Sequence, residues 1–492
     1  MRWTFTIFGL YLYLGVFTIV VGYGAESANP DSLNLPENVI IRSISFTGNK
    51  ITKERIIRRE LLFSENDTIP TKELSNILQQ SRKNLVNTSL FNFVTYDSIP
   101  VEFRTNEVDI SFEFIERWYI WPVPILELAD RNFNEWLKKW DWSRLNYGMF
   151  LTWNNFRGRR EKLMLYARFG YDQRYELSYR IPYINKKQTW GIGFSGGWTQ
   201  NHEMTYNSFD TIVSSNGERV PVGNKEFYYK SEEGYPKREI FTFMEAFYRK
   251  GIFSTSWFKL EYKDLRVTDS VLIKNPDYSF DTANRNQYLS FFYQYRLDHR
   301  DYKQYPMTGY YFDAEMKKSG LGLIPNSSVN TLYIKTNFRK YFKLKERFFY
   351  ASGFTGKVSP FWHQPYYYIR GLGYARDFAR GYEYYVVDGM HYALLKNNLK
   401  FVLVPTRVQN FNFIPSEKFS KLYWALYLNI FADVAYVSDT RQNVYNPLAN
   451  DVILGYGIGL DLVTYYDFVI RLEYSFNKMG ESGFFIHFMP SI

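Results

Sequence analysis

Residues 422–434 have the sequence Leu-Tyr-Trp-Ala-Leu-Tyr-Leu-Asn-Ile-Phe-Ala-Asp-Val, and this stretch decides the fold. Apolar residues occupy every second position from Leu422 to Val434, whereas Asn429 and Asp433 lie between them. A period of two places alternate side chains on opposite faces of a β-strand. A face with leucine and isoleucine opposite a face with aspartate is typical of a strand between lipid and a wet lumen.

The same alternation recurs from about Leu145 to Phe488, with no helical stretch in between. About 16 such segments are present, and an even number is expected for a single-chain bacterial barrel. A soluble sandwich seldom keeps ionisable residues on the inner face of so many strands. We therefore predict a mainly β fold in which residues 144–492 form a 16-stranded antiparallel transmembrane β-barrel. Clear examples are 162–169, 312–317 and 468–476.

The composition supports a membrane barrel and excludes a helical membrane protein. Aromatic residues make up 20% of the chain and charged residues 22%, while the mean hydropathy is −0.36. A membrane-spanning helix needs roughly 20 consecutive apolar residues. Only the N-terminus comes near that length, so the apolar residues must be distributed by alternation.

The N-terminus has the pattern of a secretory signal peptide. Arg2 precedes an apolar stretch from Phe5 to Val21, and small residues including Ala25 and Ser27 follow. We predict a signal peptide over residues 1–27; the alternative is a retained membrane anchor. The chain has no cysteine, which excludes disulfides and thiolate metal sites.

The net charge of +10 is spread over the chain and forms no basic stripe. We interpret these residues as solvated loops, barrel lumen and contacts with lipopolysaccharide phosphates, and we expect no nucleic-acid partner. None of the five histidines lies near a recognisable nucleophile motif, and no phosphate-binding loop or metal-ligand cluster is present in the sequence. The sequence therefore favours a protein that is not an enzyme and that has no cofactor or metal.

Residues 38–117 have a different pattern, β-α-α-β-β. A strand over Val39–Thr47 is followed by a Gly48-Asn49 turn, and Thr52 and Thr71 are placed to cap two helices. Alternation returns at 108–114. This pattern predicts a small α+β domain with two helices on one face of a sheet.

Residues 118–143 form a tryptophan-rich connector that also contains Pro122 and Pro124. Tryptophan at this density favours the membrane–water boundary. Contact between the small domain and its neighbour is the alternative, and the two interpretations are compatible. The tryptophans are Trp118, Trp121, Trp136, Trp140 and Trp142.

The end of the chain has the features of a closing strand. Gly483, Ile486 and Phe488 put apolar residues on one face, and in lipid a sheet must leave no open edge. Pro490 lies beyond this strand and cannot donate to a ladder.

The order of signal peptide, small α+β domain and 16-stranded barrel resembles the BamA/TamA family of outer-membrane proteins with POTRA domains. Residues 44–49, Ile-Ser-Phe-Thr-Gly-Asn, resemble the opening strand and turn of a POTRA domain, with Ile44, Phe46, Gly48 and Asn49 as its marked positions. Residues 155–159 and 179–183 resemble the first family hairpin and the strand end that follows.

The most specific resemblance is Arg380-Gly381-Tyr382-Glu383, within a long loop over about 358–390. In the family an Arg-Gly-aromatic motif tips a loop that folds into the lumen, where an aromatic-x-Asp pair holds the arginine. The matching residues here are Phe431 and Asp433. A guanidinium in a polar lumen favours a carboxylate and a ring face, and a glycine allows a tight turn. Arg370, also followed by glycine, is the competing candidate.

The sequence departs from the family in three respects. It contains one POTRA-like unit, whereas well-known members carry several. The strand after the long loop offers Lys396, Asn398 and Lys400, so a second carboxylate partner for Arg380 is not expected there. The last residue is Ile492, which is not aromatic.

The resemblance implies a Gram-negative outer-membrane protein with its N-terminal domain in the periplasm. Its function would be assembly, insertion or translocation of unfolded outer-membrane proteins by β-augmentation and lateral opening of a barrel seam. Accessory lipoproteins or periplasmic proteins would dock on the POTRA domain. The alternative is a passive outer-membrane channel or structural barrel. The expected seam joins Leu145, Tyr147 and Phe150 to the closing strand of Gly483, Ile486 and Phe488.

Overall fold

The computed structural model describes most of the chain from residue 36 to residue 488. The predicted signal peptide and the tail with Pro490 and Ile492 lie outside the described residues. The described ranges are 36–101, 106–128, 142–213, 219–231, 234–361, 364–374, 377–411, 414, 420–440, 446–464 and 468–488.

An α+β domain comes first and packs two helices on one face of a four-stranded sheet, in the strand order β2-β1-β4-β3. The first and last strands of this domain, β1 and β4, are parallel, and the outer strands are antiparallel to them. Alternate residues of β4 face the helices and build the core around Phe112, which is fully buried. The elements are β1 (Asn38–Thr47), α1 (Glu54–Arg58), β2 (Thr68–Pro70), α2 (Thr71–Val86), β3 (Phe91–Pro100) and β4 (Glu107–Glu116).

The predicted turn after β1 is tightly constrained. Gly48 has a φ of +82°, and a Cβ there would lie 2.1 Å from Phe114 O. Only glycine fits this position. Asn49 donates its side-chain amide to Thr52 O over 3.1 Å, while Ile44 is buried and Phe46 stacks on Phe112.

The helix caps differ from the prediction. α1 begins after Lys53 and α2 after Pro70, and neither Thr52 nor Thr71 caps its helix through the side chain. The Thr52 hydroxyl instead lies 3.0 Å from Tyr119 Oη and accepts from the Asn155 amide over 2.8 Å. The tertiary contact with the barrel replaces the local cap. The short β2 is an additional strand in the predicted β-α-α-β-β order.

Sixteen antiparallel strands then form one large sheet that runs from β5 to β26, so the predicted strand number is confirmed. Polar side chains face the lumen and apolar ones face outward; in β23 Asp433 is fully buried while its neighbour Val434 is 40% exposed. The strands are β5 (Ile120–Leu128), β6 (Leu145–Phe156), β7 (Glu161–Gly170), β8 (Gln173–Ile181), β9 (Trp190–Asn201), β14 (Lys237–Tyr248), β15 (Ser254–Val267), β16 (Arg285–Asp298), β17 (Gly309–Ser319), β18 (Thr331–Lys343), β19 (Phe348–Val358), β22 (His391–Asn410), β23 (Lys421–Ser438), β24 (Val452–Thr464), β25 (Phe468–Asn477) and β26 (Ser482–His487).

Short elements lie in the connections at the barrel end opposite the small domain, here called the far end. The connection of 359–390, between β19 and β22, is the long loop and contains β20 and β21. The short elements are β10 (Glu203–Asn207), β11 (Asp210–Val213), β12 (Arg219–Val222), β13 (Phe227–Lys230), α3 (Asp269–Lys274), β20 (Arg370–Leu372) and β21 (Val387–Asp388).

The tryptophan-rich segment was wrongly predicted to be only a connector. Ile120–Leu128 is the first barrel strand, β5, and pairs along its length with β6. Its two prolines concealed it, because proline is expected only at the edge of a sheet, and β5 is an edge strand. Trp118, just before β5, is 45% exposed, while Trp136 and Trp140 lie outside the described residues. None of the helices that the structure describes is long and apolar enough to cross a membrane.

Candidate functional site: the loop motif, the seam and the domain junction

Arg380, at the tip of the long loop, lies in the barrel lumen with only 1% of its side chain exposed. Its Nε and its backbone N–H donate to Asp433 Oδ2 over 2.8 and 3.0 Å. Nη2 bonds the other oxygen of the same carboxylate. The guanidinium also lies 3.9 Å from the centre of the Phe431 ring. The arginine is therefore held by a bidentate ion pair and a ring face, both of which favour guanidinium.

Arg380, and not Arg370, contacts the Phe431–Asp433 pair. Arg370 belongs to β20, where its guanidinium lies 5.3 Å from the Tyr374 ring. The two arginines are thus separated by role: one reaches the barrel wall, and the other packs within the loop.

Glycines on the barrel wall make room for the motif, and sequence reasoning missed them. A Cβ on Gly455 would lie 1.8 Å from Arg380 O, and one on Gly457 would lie 2.7 Å from the Phe431 ring. Gly381 itself has a φ of +88°. The sequence feature that could have revealed them is the Gly-x-Gly-x-Gly run at 455–459, because glycine within a strand marks a close approach of other atoms.

The rest of the motif binds strands β24 and β25. Tyr382 Oη donates to Leu454 O over 3.2 Å and accepts from the Lys478 N–H over 3.1 Å. Asn477 donates its amide to Gly381 O over 3.0 Å. Glu383 accepts from the Gly381 N–H over 2.9 Å. The loop is thereby bonded to the barrel wall at Gly381 and Tyr382, directly after the arginine.

A second carboxylate does face Arg380, although none was expected. Asn398 on β22 accepts from Arg380 Nη1 over 2.6 Å, which agrees with the absence of an acid on that strand. The carboxylate is Glu473 of β25, 3.7 Å from Arg380 Nη1 and 3.4 Å from Arg471 Nη1. The sequence could not place Glu473 there, because β25 lies three strands from β22 in the sheet.

The closing strand β26 joins this cluster through His487. Its Nε2 lies 3.3 Å from Glu473 and 3.7 Å from Glu383. The ligand atoms of these three residues lie within 4.8 Å of one another, a spacing that a metal ion could use. Since Arg380 and Arg471 already face Glu473, we interpret the group as an ion-pair network that connects the loop to β26.

The seam of the sheet lies between β5 and β26. Leu145, Tyr147 and Phe150 belong to β6, which pairs with β5 on one side and β7 on the other. The predicted first seam strand was therefore wrong, because the barrel begins one strand earlier. The other predicted seam residues do lie at the edge: Gly483 and Ile486 are in β26, and Phe488 follows it directly.

Backbone pairing does not join β5 to β26 among the described residues. Tyr119 O accepts from the Asn154 N–H over 2.8 Å, in the β5–β6 register. Because hydrogen-bonded pairs alternate in an antiparallel ladder, the odd-numbered residues of β5 bond to β6. The even-numbered residues, which include Pro122 and Pro124, face the seam. Two neighbouring edge positions of β5 thus have no N–H donor.

The edge of β26 has no such gap. Glu481 O accepts from the Asn477 N–H over 3.0 Å in the β25–β26 register, so odd-numbered residues bond to β25. Ser482, Phe484 and Ile486 direct their backbone groups to the seam, and each has an N–H. Each backbone group that lacks a hydrogen-bond partner in lipid destabilises the barrel by roughly several kcal/mol. This seam is therefore the least stable joint of the barrel.

The small domain docks on barrel turns through a buried carboxylate. Glu60, which is 2% exposed, accepts from both terminal nitrogens of Arg249 over 2.6 and 2.8 Å and from Arg160 over 3.1 Å. Burial alone would raise the pKa of Glu60, but Arg249 and Arg160 lower that pKa to about 2. Arg59 donates to three backbone carbonyls of the same turns.

A cavity of about 1580 Å³ extends from this junction to the seam. The small domain and the barrel turns contribute Glu60 and Arg249, and the seam strands contribute Trp121 of β5 and Phe488 beyond β26. Both edges of the large sheet therefore line one chamber beneath the small domain.

These features define a barrel with a long loop bonded to its lumen wall and an attached α+β domain, and comparisons with known proteins agree in fold. The POTRA family, described as "Surface antigen variable number repeat", matches residues 39–117. No curated protein matches the chain. CdiB from Escherichia coli is 9% identical with a TM-score of 0.52, over 91% of this chain and 75% of that chain.

Two further solved structures have lower TM-scores. BamA from Haemophilus ducreyi lacking POTRA domains 1–3 is 16% identical, over 89% of this chain and 81% of that chain, with a TM-score of 0.45. CdiB from Acinetobacter baumannii is 13% identical over 92% and 74%, with a TM-score of 0.47. In fold the chain is similar to CdiB from Escherichia coli, and residues 39–117 match a POTRA domain.

Replacing Arg380 by alanine is expected to release the long loop. The change leaves Asp433 buried without its main partner, which destabilises by about 3–5 kcal/mol. Proteinase K should then cleave within 359–390 in detergent-solubilised protein, while the barrel core survives. The matched control is Arg370→Ala, which should leave the loop resistant; equal resistance of both variants would contradict the assignment.

Acid should undock the POTRA domain. Because the pKa of Glu60 is about 2 when docked and 4.5 by itself, its contribution is complete above pH 4.5 and is lost as the pH falls towards 2. The distance between a spin label on α2 and one on the barrel turn at 344–347 should increase in this pH range. Pulsed electron–electron double resonance measures that distance.

Two variants control the acid experiment. Glu60→Gln should undock the domain at neutral pH, because the buried guanidinium of Arg249 loses its carboxylate. Glu65→Gln removes an exposed POTRA carboxylate and should leave the distance unchanged at pH 7. A constant distance in Glu60→Gln would show that other contacts hold the domain.

Proposed function

We propose that this protein inserts polypeptides into the outer membrane or exports them across it, by lateral opening of the seam between β5 and β26. The observation that carries the proposal is the unpaired seam, which opens onto the chamber that the POTRA domain covers. Elsewhere in the sheet each strand is paired on both sides. A strand that needs partners for its backbone could find them only at an edge.

The POTRA domain lies in the periplasm and receives unfolded clients in this proposal. Its strand β3 pairs with β4 on one side only, and residues 97–100 at its end are exposed. An extended chain can add to such an edge through backbone bonds without demanding a particular sequence. Periplasmic proteins or lipoproteins would dock on the same domain.

The pinned loop favours insertion or export over a passive channel. The bonds of Arg380, Tyr382 and Asn477 hold the long loop against the barrel wall inside the lumen, and the POTRA domain covers one end. A porin-like protein needs a wide aqueous path, and a loop bonded inside the lumen narrows such a path. The seam supplies another route.

Locking the seam tests the proposal directly. The chain has no cysteine, so any disulfide between paired cysteines in Ile120–Leu128 and Ser482–His487 is the engineered one. Protein in lipid vesicles should accelerate the folding of a urea-unfolded eight-stranded barrel, measured by its heat-dependent gel mobility. The locked form should lose this acceleration and recover it with reductant.

The other outcomes separate the candidate functions. Full acceleration by the locked form would reject lateral opening. A large stable current in planar bilayers together with no acceleration by the unlocked form would identify a passive channel. The oxidised single-cysteine variants are the control for the effect of the substitutions alone.

A further inference from the structure

Positive charge dominates the wall of the chamber beneath the POTRA domain. Of the side chains that line this chamber, eight are basic and three are acidic. Each of the three acids already forms an ion pair with an arginine. The wall therefore carries an excess of positive charge that its own acids do not balance.

Three of the basic side chains form no ion pair among the described residues: Lys162 of β7, Arg296 of β16 and Lys303 in the turn after β16. Lys162 lies opposite Arg180 in the β7–β8 ladder, and like charges in directly opposite positions repel each other. Desolvation at the junction and the nearby charge of Arg160 lower the pKa of Lys303 to about 8. An anion in the chamber would relieve this repulsion.

The chamber also has an apolar wall, which crosses the sheet at the seam. Trp121 and Val123 line the chamber from the lumen face of β5. Phe468 and Ile470 line it from β25, where they alternate with Arg471 of the lumen network and therefore face outward. Because residues on opposite faces of the sheet line one cavity, the chamber extends from the lumen to the lipid-facing side of the barrel.

The short closing strand explains this opening. The β25–β26 ladder ends at Arg471 and His487, so Phe468 and Ile470 lie beyond it, at the POTRA end of β25. The Phe488 ring stacks on Phe468, with 5.8 Å between the ring centres. The cavity therefore reaches the lipid-facing side at the POTRA end of the seam, where β26 no longer covers β25.

We infer that the chamber binds an anionic phospholipid of the periplasmic leaflet. Its phosphate would lie among Lys162, Arg296 and Lys303, and its acyl chains would leave past Phe468 and Ile470. Basic pockets at the membrane surface bind anionic head groups, and charge-assisted hydrogen bonds to phosphate are strong. The volume of about 1580 Å³ exceeds the roughly 300–1,000 Å³ of a pocket for a drug-sized ligand. The inference goes beyond the proposed function and uses only the placement of the barrel in a membrane.

The apolar wall favours a lipid over other anions. A free phosphate or an acidic polypeptide would balance the cations but would leave the opening at Phe468 and Ile470 without an apolar occupant. A phospholipid satisfies both walls, because its head group and acyl chains are separated in the same way as the charged and apolar parts of the chamber.

A photoreactive lipid tests the inference on the full-length protein. The probe is a phosphatidylglycerol with a diazirine on the acyl chain close to the head group, present as a trace in phosphatidylcholine vesicles that contain the protein. Adducts are mapped to residues by mass spectrometry. Trp121 and Val123 face the lumen and report lipid in the chamber, whereas Leu126 and Phe484, which are 57% and 58% exposed on the outer face, report the lipid around the barrel.

The phosphatidylglycerol probe should label Trp121 and Val123 at least about tenfold more than a matched phosphatidylcholine probe does, because three cations face its net negative charge. Labelling of Leu126 and Phe484 should be similar for the two probes. Equal labelling of the chamber residues by both probes, or labelling of the outer face alone, would overturn the inference.

Charge variants locate the head group. Lys162→Gln together with Arg296→Gln should reduce chamber labelling by the phosphatidylglycerol probe at least about tenfold, while Lys162→Arg together with Arg296→Lys should retain it. The matched control is Lys186→Gln with Lys187→Gln, two exposed positions in the turn between β8 and β9 that do not line the chamber. The heat-dependent gel shift should be the same in all variants, since neither Lys162 nor Arg296 forms an ion pair with a described residue. Full labelling in the double glutamine variant would contradict the head-group site.

Soluble competitors separate a lipid from other anions. Inorganic phosphate or hexaglutamate should reduce chamber labelling no more than sodium chloride of equal ionic strength does. Loss of labelling with phosphate would assign the site to a free phosphate, and loss with hexaglutamate would assign it to an acidic polypeptide; either result overturns the lipid assignment. The labelling needs no client protein, so a failure to accelerate folding would reject the proposed function and leave the lipid site intact.

Discussion

The rest of the structure depends on one constraint: a backbone polar group in lipid must have a hydrogen-bond partner within the protein. It explains why each interior strand of the barrel pairs with a neighbour on both sides, and why the seam is the weak joint. Fifteen strand pairings from β5 to β26 satisfy the constraint, with register shifts in the β6–β7 and β22–β23 ladders. Backbone pairing does not join β5 to β26 among the described residues, and Pro122 and Pro124 on the β5 edge have no N–H to offer there. The two prolines therefore limit the number of hydrogen bonds that the β5 edge can donate at the seam.

The lumen network is arranged so that the loop and the closing strand share partners. Arg380 bonds Asp433 on β23 and faces Glu473 on β25, and Glu473 in turn faces His487 on β26. A buried charge is tolerated only when it is paired and hydrogen-bonded. Displacement of one member of the network therefore leaves the remaining charges buried without a partner. The loop motif is thus connected to β26 through side chains, whereas β5 is held by its backbone pairing with β6.

The parts that the sequence predicted are those governed by local periodicity. The alternation of Leu422–Val434 is a property of one strand. It predicted which side chains face lipid and which face the lumen without information on the neighbouring strands. The Arg380–Asp433 partnership came from resemblance. Glu473 and Gly455 could not be placed, because their roles depend on which strands become neighbours of the loop after the sheet curls. The strand β5 was missed because Pro122 and Pro124 break the usual strand composition, and an edge position was the one context in which they fit.

The docking of the POTRA domain adds a further relation between the junction and the seam. Tyr119 lies one residue before β5, and its hydroxyl contacts Thr52 of the POTRA domain, while Glu60 anchors the same domain to the turn at Arg249. Movement of the domain therefore acts on the start of β5 through the contacts of Tyr119 with Thr52 and Leu90. β5 is held by backbone bonds to β6 on one side only, and Pro122 and Pro124 on its other edge have no N–H. In the proposed function, Tyr119 couples client capture by the domain to opening of the seam.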